Sequence, residues 1–282
     1  MKQLTVDEPI LHRVEDEWPE EREPGALATL WQHRELVYSL VLRDIRSRYK
    51  QSALGIAWAL VQPLAMTAVF TVVMAAIIKV PTGNVPYPMF AYVAMLPWTF
   101  FATALTSGTE CLVSNFNLIT KVYFPRETFP IAAVLGKTVD LGLGVLVLIP
   151  FFWIYHIHVT WMALYIVPIL LIQISFLLGL TFIFSAVNLF YRDIRHVMPL
   201  LMQVWMYLTP VIYGLDLVPK RYYSIYMLNP MTPIIDGCRK TILQGQAPLW
   251  NYLSYAAIVS IVTLVAGYWL FKKLEPKFAE TI

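Results

Sequence analysis

Charge is what this sequence has least of. Asp, Glu, Lys and Arg make up 14% of its 282 residues, where a soluble domain carries about 25%, and 58% of the chain is hydrophobic. The shortage is also uneven: eight of the 18 acidic residues fall within the first 25 positions. A water-soluble globular enzyme does not fit that distribution, whereas a polytopic helical membrane protein does.

Other absences narrow the chemistry. There are two cysteines, Cys111 and Cys238, and the topology derived below puts them on opposite sides of a membrane, so no disulfide framework is expected. His156 and His158 stand two apart with no Cys or carboxylate nearby, which does not make a metal site. The "GKT" at Gly136–Thr138 ends like a phosphate-binding loop, but Ile131 stands where that loop needs glycine, inside an apolar run. Lys137 and Asp140, three apart on one helix, are expected to form a structural ion pair, with a proton relay as the alternative role. Neither a Ser/His/Asp ordering nor a carboxylate cluster suggests a catalytic site. Segment 1–26 is acidic and holds no apolar core of signal-peptide length, so it is expected to be a flexible tail or a docking tail.

What is present is apolar length. Six stretches reach, or nearly reach, the roughly 20 residues that a crossing needs: about Gly55–Ile78, Pro88–Thr106, Phe129–Ile154, Trp161–Leu189, Val197–Tyr213 and Tyr252–Phe271. The fifth is marginal, because Pro210 interrupts its end. Six crossings put both termini on one side. With that side inside, inner segments hold fifteen Lys and Arg against five outside; positive loops stay cytoplasmic, so a multi-pass protein of the bacterial cytoplasmic membrane with both termini inside is expected.

Three pieces are not simple spans. In segment 27–54, Gln32, Glu35, Ser39, Arg43, Arg46 and Lys50 form one polar stripe, with Leu30, Val37, Val41 and Ile45 opposite. This predicts an amphipathic helix lying in the membrane interface, with Trp31 and Tyr38 at headgroup level. Arg48 falls near the apolar face. Either it snorkels to lipid phosphate, or Arg46, Arg48 and Lys50 meet an anionic substrate headgroup as it enters. The outer segment from Gly214 to Asn251 carries two apolar bursts around "NPMTP", each too short to cross, which predicts re-entrant or interfacial half-helices. The third piece is "NLITKVYFPRE", Asn117 to Glu127, where a short helix should end at Pro125. Its apolar groups would be a liability without a protein partner.

Four blocks then carry a family likeness: "RDIRSRYKQSALGIAWALVQPL", "NLITKVYFPRE", "LFYRDIRHVMPLLMQVWMYLTPVIY" and "LNPMTPIIDGCRKTILQG". In this order, from about Leu27 to Leu274, the chain resembles the membrane subunit of type-2 ABC exporters for polysaccharides and polyol phosphates. That group includes O-antigen and wall teichoic acid permeases. The resemblance implies an all-α polytopic domain over 55–274 with a short tail at 275–282, and a homodimer served by two ABC ATPase subunits. ATP and Mg would sit on the ATPase, with no cofactor in this chain and no nucleic acid among its partners. Asn117, Leu118, Ile119, Lys121, Tyr123, Phe124, Arg126 and Glu127 would form the coupling helix and its exit, supported by Arg192, Asp193 and Arg195. The cargo would be a lipid-linked glycan or polyol phosphate polymer. Trp58, Tyr92, Trp98, Phe100, Phe101, Trp205 and Tyr207 are the candidate channel-lining rings, with interface anchoring or plain packing as the competing role of each. The rival expectation is an ion-coupled carrier or a membrane enzyme acting on lipid-linked sugars.

Overall fold

The computed structural model describes residues 33–50, 55–83, 85–121 and 125–278. The acidic tail, Leu30, Trp31, Gln32, Tyr123 and Phe124 lie outside the described residues. Every element is helical among those described, and the chain from Leu36 onward packs as one body.

Helix α1 spans Arg34–Tyr49. Five further stretches are long and apolar enough to cross a membrane: Gly55–Ile77, Tyr87–Ser114, Thr128–Ile154, Trp161–Phe190 and Trp250–Lys277. The first contains α2 (Trp58–Phe70), which widens into a π-helical stretch over Thr71–Ile77. The second is α3 (Tyr87–Ser114), which runs beyond the Thr106 end expected from hydropathy because Ser107, Thr109 and Ser114 return their hydroxyls to backbone carbonyls. Hydroxyl back-bonding of this kind lets polar residues sit in an apolar helix. After α4 (Phe116–Lys121) come α5 (Thr128–Leu146) and α6 (Leu148–Ile154), which share the third crossing, and α7 (Ile166–Phe190) forms most of the fourth.

Then comes α8 (Ile194–Tyr207), where a marginal fifth crossing over Val197–Tyr213 was expected. At 1.5 Å per residue its 14 residues rise about 21 Å, against a hydrocarbon core of about 30 Å. The backbone turns at Leu208–Tyr213 instead of continuing. Two short helices follow, α9 (Lys220–Leu228) and α10 (Met231–Arg239), the second continuing as a π turn to Gln244. Gly245 stops it in the left-handed region at φ 61°, where glycine carries no Cβ penalty. The last crossing is α11 (Trp250–Leu274).

Helix α3 is the axis of the body. Its apolar window is 78% buried, against 17% for the crossing that holds α2. Tyr92, Phe101 and Leu105 of α3 meet Val134 of α5, Leu177 of α7 and Met198 and Met202 of α8 in the main core. Helices α7 and α11 approach most closely at Gly179 and Gly267, where a Cβ on Gly267 would strike the Gly179 carbonyl oxygen. Close backbone approach through small residues is how membrane helices gain dispersion contact without a hydrophobic driving force. Where α8 stops short, Arg239 replaces the missing helical bonds. Its guanidinium, 4% exposed, donates to the carbonyls of Pro210 (2.6 Å), Val211, Tyr213 (2.9 Å) and Phe90 (3.3 Å), and lies 3.7 Å from the centroid of the Phe90 ring. Carbonyls freed from a helix in an apolar setting require such a partner.

Candidate functional site

The end of the body that carries α1, α4 and the start of α5 gathers most of the ionic contacts. Along α1 the residues facing the body are Val37, Leu40, Asp44 and Arg48, one helical stripe whose first half is apolar and whose second half is charged. Gly136 of α5 makes room for it: a Cβ there would stand 2.8 Å from an Asp44 carboxylate oxygen and 3.4 Å from an Arg48 nitrogen. Arg48 donates to the Gly136 carbonyl at 3.1 Å, pairs with Asp44 at 3.0 Å and bonds Asp140. Tyr49 Oη donates to the other Asp140 oxygen at 2.7 Å, and Lys137 Nζ stands 3.7 Å from Asp140. Burial and the Asp140 carboxylate push the Tyr49 phenol up to about 12.

Arg48 therefore neither snorkels to lipid nor joins Arg46 and Lys50. Those two stay exposed on the outward face of α1, around a hollow of 520 Å³ shared with Ser39, Arg43 and Ser47. The spacing that set Arg48 apart in the sequence reflects a helix docked on protein along that face. "GKT" also finds its use here: Gly136 admits α1, Lys137 faces Asp140, and Thr138 bonds back to the Val134 carbonyl at 3.2 Å.

Helix α4 is held at both ends. Asn115, in the turn before it, accepts from the Arg43 guanidinium and donates to the Cys111 carbonyl at 2.7 Å. Leu118 and Ile119 pack against a second apolar core built from Val37, Leu112, Phe129, Phe182, Phe271 and Phe278. Asn117 is exposed. The exit of the loop turns inward: Glu127 is 1% exposed and pairs with Lys272 of α11 at 2.8 Å, while Arg126 donates to the Glu275 carbonyl at 2.5 Å and stands 5.8 Å from the Phe278 ring. The expectation that Leu118, Ile119, Arg126 and Glu127 all face a partner thus changes. Their side chains engage this chain, because a buried carboxylate needs a cation beside it and half-buried apolar groups need a core. Arg192 and Asp193, in the connection from α7 to α8, and Arg195, in the first turn of α8, are exposed, and the turn is anchored where Asn188 accepts from the Arg195 backbone amide at 3.2 Å and donates to the Thr109 carbonyl at 3.0 Å.

The aromatic candidates divide. Tyr92, Trp98, Phe100 and Phe101 are buried in the main core, with Tyr92 Oη donating to the Gly144 carbonyl at 2.9 Å. Trp205 stacks edge-on against Phe101 at 5.2 Å and donates to Asn229 at 3.1 Å. These five serve packing within the chain. Trp58 and Tyr207 are half-exposed, on α2 and α8. Sequence reasoning missed a polar groove of 390 Å³ lined by Ala102, Thr103, Thr106, Ser107 and Glu110 of α3 and by Lys137 of α5. Its signal was the recurrence of polar residues at steps of three and four inside an apolar span. Both cysteines are free and buried, and no His, Cys, Asp and Glu grouping fit for a metal occurs among the described residues.

The ABC-2 type transporter family matches residues 35–243. The chain belongs to it. It is 30% identical over 256 residues to the O-antigen export system permease protein RfbA of Myxococcus xanthus, covering 90% of this chain and 97% of that protein. A permease of the same description from Klebsiella pneumoniae is 28% identical, over 88% and 95% of the two chains. The polysialic acid transport protein KpsM of Escherichia coli is 24% identical, over 85% and 93%. The family match runs from α1 through most of the π turn after α10, so it covers α1, α4, α9 and α10 alike. As an ABC-2 family member with five long apolar helices, this is a multi-pass membrane protein.

Proposed function

We propose that this chain is the membrane subunit of an ATP-driven exporter that carries a lipid-linked polysaccharide or polyol phosphate polymer, of O-antigen or wall teichoic acid type, out across the cytoplasmic membrane. The observation that carries the reading is the family match over 35–243 together with near full-length similarity to named polysaccharide permeases. ATP hydrolysis, with its Mg, belongs to a separate ABC ATPase, present in two copies against two copies of this chain. In this reading α8 and the turn after it complete a sixth crossing, which places both termini in the cytoplasm. The end of α11, joined to the loop after α4 by the Glu127–Lys272 pair, then lies on that same side.

Helix α4 is the natural contact for the ATPase. Asn117 is exposed on it, and the residues beside it brace it against the body. Arg192 and Asp193 of the α7–α8 connection, and Arg195 at the start of α8, are proposed to face the same side. Arg46 and Lys50, with Arg43, offer the cationic face for a pyrophosphate-type headgroup, since guanidinium forks match phosphate oxygens. A carrier that moves an ion through the Arg48–Lys137–Asp140 cluster gains no support, because these charges are paired with each other and with Asp44.

The test uses cross-linking. Both native cysteines are buried, so Asn117→Cys introduces one accessible thiol. With the candidate ATPase co-expressed and thiols placed around its surface groove, Asn117→Cys should give a cross-linked product, and the purified complex should hydrolyse ATP. Absence of any ATPase in the wild-type complex would sink the reading.

A further inference from the structure

The sequence pointed to Arg126 and Glu127 as contacts for a partner; the structure spends them on the end of α11. A push on α4 has covalent routes into α3, through the turn at Asn115, and into α5, through Pro125–Thr128. It has no covalent route into α11. Among the described residues the polar links from the loop to the end of that helix are the Glu127–Lys272 pair at 2.8 Å and the Arg126 bond to the Glu275 carbonyl, beside the Arg126–Phe278 contact and the apolar core that Leu118 and Ile119 share with Phe271 and Phe278. Lys272 is held on its other side by Glu275 at 3.0 Å, and Phe278 is wedged against Phe271 and Phe190 with ring centroids 5.4 and 6.0 Å apart.

A buried ion pair is a poor source of stability, because well-packed apolar residues of similar volume do as well, yet pulling its partners apart strands a charge. Such a pair suits a joint that must not slide. We propose that Glu127 and Lys272 are positioning residues that lock the exit of the inner loop to the end of α11, so that α11 moves with α4 during transport. Helix α7 follows because Gly179 and Gly267 leave it no gap from α11. The proposal rests on the export reading and assigns a transmission role to the last helix, beyond α4 itself.

The experiment compares wild type, Glu127→Gln, Lys272→Gln and the exchanged pair Glu127→Lys/Lys272→Glu, each in the full complex with its ATPase. Two quantities are read: surface polymer in the source bacterium divided by the amount of ATPase-bound chain, and ATP hydrolysis by the same complex in lipid nanodiscs. The single variants should export about tenfold less per complex while still hydrolysing ATP, a loss on the scale of ordinary site-to-site coupling. The exchanged pair should recover part of it, because a carboxylate at 272 restores the link to position 127 but also meets Glu275. A merely structural pair would lower the amount of complex and leave export per complex unchanged, which would overturn the proposal, as would wild-type export by both single variants. A wild type that neither binds the ATPase nor delivers polymer would instead overturn the export reading, and the joint with it.

Discussion

Arg48 shows how a single residue resists interpretation from sequence. Its position on the apolar face of α1 was plain, but its partner Asp140 is 92 positions away, and no local spacing connects them. Side chains of Arg48 and Asp140 are 21% and 19% exposed, so removing one partner leaves the other largely dehydrated. Arg48→Ala should cost about 3 kcal/mol, the usual penalty for breaking a buried pair, read as a fall in melting temperature of the detergent-purified chain. Arg48→Lys should recover only part, because one ammonium cannot reach Asp44, Asp140 and the Gly136 carbonyl at once. Tyr49 adds a pH dependence. Its folded-state value lies above the ordinary tyrosine value, at about 12 against 10.0. The stability it contributes is therefore whole below pH 10 and lost as pH rises through the folded value. Tyr49→Phe should melt below wild type at pH 8, and the gap should shrink between pH 10 and 12; a constant gap would mean that the phenol is not bonded to Asp140.

At the scale of elements, hydropathy was enough for the five long helices, because a 20-residue apolar run has few other structures open to it in lipid. It did not fix α8. The segment to Tyr213 is largely apolar, and Pro210 left its end marginal; what the sequence did not show is the tertiary partner, Arg239, which collects the carbonyls of Pro210, Val211 and Tyr213 from 26 to 29 positions away. Arg239→Met would fill similar volume and leave those carbonyls unpaired. It should cost several kcal/mol and show as loss of folded chain on size-exclusion chromatography, whereas Arg239→Lys, able to satisfy some of them, should survive at lower yield. The α7–α11 crossing makes a second prediction at this scale. Gly267→Ala must push two backbones apart, because its new methyl meets the Gly179 carbonyl. An overpacking cost of about 1–3 kcal/mol follows, visible as a lower melting temperature, while Gly142→Ala, where nothing lies within 4 Å of the added carbon, should be tolerated.

For the whole molecule, the apolar surface left by one chain needs a cover. Helix α8 buries Met198, Met202 and Met206 and turns Val197, Leu200, Val204 and Tyr207 outward; α2 buries little beyond Pro63 and Thr67. Both surfaces suit lipid and a second copy alike, since lipid tails and leucine are equally apolar. This is why the channel-lining residues could not be read from the sequence: rings on α3 point into the chain's own core, and the surfaces a dimer would share become visible only once those interior contacts are subtracted. In the proposed homodimer, Trp58 on α2 and Tyr207 on α8 remain on faces that can meet a passing glycan, whereas Tyr92 and Phe101 do not. Single cysteines at Leu200 and Val204, 63% and 49% exposed, should form disulfide-linked dimers in native membranes under mild oxidation, while cysteines at Ile258 and Val262 on α11, 63% and 60% exposed, should remain monomeric. Cross-linking at α11 with silence at α8 would move the dimer interface, and the export path with it, to the other side of the bundle.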